Sequence, residues 1–167
     1  MKKLNLLKAI VDFVCIMLFI AVPLLLIFIG IVFISNESLN IPIKINGLEV
    51  NITDINSKIL LLFLILSSLF LIYGLFLFRK VLRLFQQRRI FDFEVINGFK
   101  KIGFTLVISS LLSGIPDFIL KIINREATFE IGLSPFVMIF CLGLFFLVLS
   151  EVFIIAKNQK EENELTI

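Results

Sequence analysis

Asp117 stands in an otherwise apolar stretch, and Thr105, Ser109 and Ser113 precede it at four-residue intervals. On a helix that spacing makes one slanted row of three hydroxyls and a carboxylate, a ridge shaped to enter a neighbouring helix's groove. Lys121 follows Asp117 by four residues, the interval at which helices pair opposite charges. Two chemistries fit. An ionised group at a bilayer centre costs about 2.5–3.5 kcal/mol, and such groups often mark proton or ion paths. The same hydroxyls also serve plain helix–helix packing, the more economical account. Glu151 is a second carboxylate inside an apolar run.

Other chemistry is scarce. The chain has no His, so the commonest general base and metal ligand is missing. No GxxxxGK[ST], GxGxxG, HExxH or CxxC pattern occurs. Cys15 and Cys141 lie in separate apolar runs and read as small apolar residues, not as a disulfide. The expectation is a non-enzymatic protein with no catalytic, metal or cofactor site.

The elements that must position these residues are greasy. Apolar residues make up 59% of the 167, with twenty Phe and one Tyr, against roughly 45–50% in an ordinary soluble domain. Crossing hydrocarbon takes about 20 apolar residues, and four stretches qualify: 13–34, 59–78, 102–123 and 133–156. The first follows Lys2, Lys3 and Lys8 but is too long for a signal-peptide core and reads as a retained anchor. The third holds Ser109, Ser110, Ser113, Gly114, Pro116 and Asp117, tolerable only if neighbouring helices cover it.

Twelve of the sixteen basic residues fall before the first span, between the second and third, or after the fourth. The positive-inside rule then puts both termini in the cytoplasm. The expected fold is an all-α four-transmembrane-helix bundle, N-in/C-in, in one membrane domain.

The first extracytoplasmic loop departs from this pattern. "IPIKINGLEVNI", residues 41–52, alternates apolar and polar residues about Asn46-Gly47, a pair suited to a type I′ turn. That register sets Lys44 against Glu49, Ile43 against Val50 and Ile45 against Leu48, with the branched apolar residues on one face. A β-hairpin is expected there. Thr128 to Ile131 are expected as a third strand, making a small sheet that lies over the outer helix ends.

On the other side runs the basic loop 79–101, with Arg79, Lys80, Arg83, Arg88, Arg89, Lys100 and Lys101. Phe78, Val81, Leu82 and Phe85 recur at helical spacing, so the second span should continue as an amphipathic helix whose basic side meets anionic lipid. Asp92 is the expected N-cap of the next helix, with Glu94 in its first turn and Phe91 stapled onto Ile96. No aromatic stacking platform accompanies the charges, so direct nucleic-acid binding is not expected. The tail, 157–167, places Glu161, Glu162 and Glu164 ahead of Leu165 and Ile167. It reads either as a solvated helix end or as a docking peptide for a cytoplasmic partner.

Two stretches, "FDFEVINGFKKIG" and the ending "KEENELTI", taken with four spans in a chain of this length, resemble the small bacterial membrane proteins of the domain-of-unknown-function 2975 family. Members are often encoded beside a small helix-turn-helix regulator, so the resemblance implies a regulatory pair. The resulting expectation is a membrane protein that binds or sequesters such a cytosolic DNA-binding regulator through Arg79, Lys80, Arg83, Arg88, Arg89 and the tail. The alternatives are a small transporter, channel or immunity-type protein acting through the Asp117 region, and a purely structural subunit.

Overall fold

A computed structural model describes residues 2–34, 43–45, 48–50, 55–123 and 134–165. Four long helices account for nearly all of them: α1 (Lys2–Ile34), α2 (Ile55–Gln86), α3 (Phe93–Ile123) and α4 (Pro135–Leu165). Each contains a window long and apolar enough to cross a membrane. With 31 to 33 residues, each is roughly 47–50 Å long and outruns the ~30 Å hydrocarbon core. The helices thus extend beyond the expected spans, α2 by eight residues to Gln86.

α3 is the central helix. Half of its apolar window is buried, against 11% for α1 and α4, and this burial accommodates its polar residues. α2 and α4 both pack along it, and they meet each other at Phe78–Phe146 and Phe85–Phe153. Val81 and Leu84 of α2, with Val95, Phe99, Ile102 and Leu106 of α3, make the main core; Ile139, Phe146, Leu149 and Phe153 of α4 pack onto it. α1 leans on the outside of α2, where Leu4, Val11 and Cys15 meet Leu75, Phe78 and Leu82.

Hydroxyls lock the central packing. Ser67 on α2 donates to the Ser109 carbonyl at 2.8 Å, and Ser109 donates back to the Ser67 carbonyl at 2.8 Å. Ser150 on α4 donates to the Ile96 carbonyl at 3.0 Å. Each hydroxyl is therefore satisfied where no water is available to satisfy it. α3 and α4 touch backbone to backbone at Gly103 and Gly143. A Cβ on Gly103 would lie 2.7 Å from Leu147 and 2.9 Å from the Gly143 carbonyl oxygen.

The expectation of an outer sheet is corrected: the fold is all-α, and no sheet layer covers the described helix ends. Between α1 and α2 the described chain has only a local two-stranded pairing, β1 (Ile43–Ile45) with β2 (Leu48–Val50). Ile43 stands opposite Val50, Lys44 opposite Glu49 and Ile45 opposite Leu48. Three residues per strand are too few to build a layer, because an isolated two-stranded pairing is marginal and the apolar burial is supplied by helices. The turn residues Asn46 and Gly47, and the expected third strand at Thr128 to Ile131, lie outside the described residues.

The Gly103 contact has a measurable consequence. Gly103→Val should destabilise the protein by about 1–3 kcal/mol through overpacking, seen as earlier unfolding in a detergent–denaturant titration. Gly30→Ala, where a Cβ meets nothing within 4 Å, should not destabilise the protein, since alanine also favours the helix.

Candidate functional site: the basic end of the bundle

The start of α1, the α2–α3 connection and the end of α4 come together. Lys8 Nζ donates to Gln86 Oε1 at 2.7 Å, setting the first turns of α1 beside the last turn of α2. The Ser150–Ile96 bond sets the second half of α4 beside the first turns of α3. The twelve basic residues singled out by the sequence therefore gather at one end of the molecule.

The connection is tightly built. Arg88 adopts φ 60°; its N–H donates to the Phe85 carbonyl at 3.1 Å, and the Arg89 N–H donates to the Leu84 carbonyl at 3.1 Å. These two bonds form a Schellman ending with an arginine where glycine is usual. Asp92 flanks α3, its carbonyl accepting the Val95 N–H at 3.0 Å. Its carboxylate is engaged by the Arg89 guanidinium, a partner the capping expectation did not include.

Beneath the connection lies an aromatic cluster. Phe99, almost fully buried, has ring centroids of Phe85 at 5.9 Å, Phe146 at 5.9 Å and Phe153 at 5.2 Å. Pairs of this kind contribute about 0.5–1.5 kcal/mol each beyond their burial. Phe91 lies 6.3 Å from Phe153.

The tail is a continuation of α4 through Leu165 and lies against this cluster. Lys157 Nζ sits 5.4 Å from the Phe93 ring centroid, and Lys160 Nζ 5.8 Å from that of Phe91. Glu161 and Glu164 pair back to these lysines at 3.5 and 3.6 Å. Exposed Glu162 lies on the same turn. The Leu165 side chain and Ile167 are outside the described residues.

A polar seam joins α1 to α2 here. Asp12 pairs with Arg79, and Gln86 donates to Asn5 Oδ1 at 2.9 Å while accepting from Lys8. Asp12, Asn5 and Gln86 were not singled out from the sequence. Their signal was present: Asn5, Lys8 and Asp12 follow one another at three and four residues, alongside Leu4, Val11 and Cys15.

The other residues named from the sequence differ in how they are engaged. Arg79 is taken by Asp12, Lys80 and Arg83 are exposed on α2, and Arg88 and Arg89 are exposed in the connection. Thr105 donates within its own helix, to the Ile102 carbonyl at 2.8 Å. Ser109 is clasped to Ser67, and Ser113 donates to the Ser110 carbonyl at 3.0 Å. Asp117 and Lys121 lie on α3 with side chains outside the described set. Past the Ser67–Ser109 clasp, α2 and α3 leave an apolar groove of about 450 Å³, lined by Ile59, Leu60 and Phe63 and by Ile108, Leu112 and Ile115.

A family model described as "Protein of unknown function (DUF2975)" matches residues 33–167. The chain belongs to that family. The DUF2975 match takes in α2, α3 and α4, the three helices that share the core, and leaves out all of α1 but its last two residues. No curated protein and no solved structure matches the chain.

Two outcomes follow from this geometry. Arg88→Gly should stabilise the protein by about 1 kcal/mol by relieving the left-handed backbone, read as a later unfolding midpoint. In a Cys141→Ser background, Asp12→Ala should accelerate maleimide labelling of Cys15, which is 2% exposed, because the seam that holds α1 over it is broken.

Proposed function

We propose that this is a non-enzymatic, regulatory multi-pass protein of a bacterial cytoplasmic membrane, with both termini in the cytoplasm. Its basic end would be a platform for a cytosolic partner. The observation carrying this reading is the convergence of the connection and the tail: Lys157 and Lys160 rest on Phe93 and Phe91, so two distant segments form one helical surface. The excess of Lys and Arg there supports the cytoplasmic assignment. The eight residues by which α2 outruns its span amount to about 12 Å, enough to lift the platform out of the hydrocarbon.

Ile90, Phe91 and Phe93 are exposed beside Arg88 and Arg89, a mixture of apolar and cationic groups suited to a protein surface. The class of partner is the small helix-turn-helix DNA-binding regulator that the family resemblance implies. Affinity capture from the native membrane, with the whole chain and with residues 158–167 deleted, tests the reading. The whole chain should retain a DNA-binding protein that the truncated chain loses. Equal recovery by both would remove the tail from the site, and capture of no DNA-binding protein by either would overturn the reading.

A further inference from the structure

Tyr73, Phe76, Lys80 and Arg83 follow one another on α2 at intervals of three, four and three residues, which places them on a single face. All four are exposed. The other faces of α2 are occupied: Val81 and Leu84 pack with α3, and Leu75 and Leu82 pack with α1. Neither Lys80 nor Arg83 has an ion pair among the described residues, whereas neighbouring Arg79 is neutralised by Asp12 and Arg89 by Asp92. Among the described residues the stripe thus ends in two uncompensated cations, just past the apolar run 59–78. Two aromatic rings lie below them, Tyr73 about 10 Å deeper along the helix than Lys80.

We infer that this stripe binds an anionic phospholipid, the phosphate on Lys80 and Arg83 and an acyl chain along Phe76 and Tyr73. Charge complementarity selects the headgroup, since each basic residue at a membrane surface adds appreciable attraction for anionic lipid. The flexible stem of Lys80 lets its ammonium rise to the phosphate while its methylenes stay in the hydrocarbon. The inference uses no residue of the connection or the tail, and it gives to lipid Lys80 and Arg83, which the sequence alone had counted toward the partner.

The test is native mass spectrometry of the full chain in an uncharged detergent at low ionic strength, with phosphatidylglycerol or phosphatidylcholine added. Retention of phosphatidylglycerol should exceed that of phosphatidylcholine by more than about tenfold. Lys80→Gln/Arg83→Gln should abolish the preference, Lys80→Arg/Arg83→Lys should keep it, and Lys2→Gln/Lys3→Gln should leave it intact. If the double variant does not remain folded, Arg83→Gln alone should cut the preference about fivefold. Equal retention of both lipids would overturn the inference. So would an equal loss in the Lys2/Lys3 variant, which would mean diffuse charge only. Displacement of the lipid by millimolar inorganic phosphate would show a free-anion site instead and would overturn it as well.

Discussion

A helix that carries a threonine, several serines and a proline cannot face hydrocarbon on all sides, because lipid offers its polar groups no partners. That constraint organises this molecule. α3 must be covered, and α2 and α4 together cover it. The polar residues then become means of attachment. Ser109 and Ser67 exchange hydrogen bonds, Ser150 reaches the α3 backbone, and Gly103 and Gly143 let two backbones meet. What looked like the weakest membrane span is the helix around which the others assemble.

The three core helices and the fourth are held by different physics. α2, α3 and α4 share a continuous apolar core that ends in the aromatic cluster around Phe99. α1 has a small apolar contact and a polar seam, Asn5, Lys8 and Asp12 against Gln86 and Arg79. The DUF2975 match falls along the same division, beginning at residue 33. Membership of the family is thus carried by the part that packs as a unit, with α1 laid against it.

Much of the architecture was legible from the residues. Twenty-residue apolar runs declare four helices, and helical spacing at Val81, Leu82 and Phe85 carries α2 beyond its span, as the structure has it. The outer sheet was not correctly read. Alternation around Asn46-Gly47 specifies local pairing, but it carries no information about how much chain joins, and six paired residues do not make a layer. The site was partly legible. Clustered basic residues are visible in one dimension, whereas their partners are not: Asp12 and Arg79 are 67 residues apart. The contact of Lys157 with Phe93 requires α3 and α4 to be packed before it exists. Lysines counted only for topology turned out to attach the tail to the connection.

The one-sided attachment of α1 has a mechanical corollary. Its packing onto α2 through Leu4, Val11 and Cys15, and the polar seam beside them, fall in the first half of the helix. A rod about 50 Å long fastened in this way can change its tilt without repacking the three-helix core. When bilayer thickness changes, mismatch is relieved at small cost by tilting, and a helix held by a small apolar contact and a polar seam resists that less than one inside the shared core.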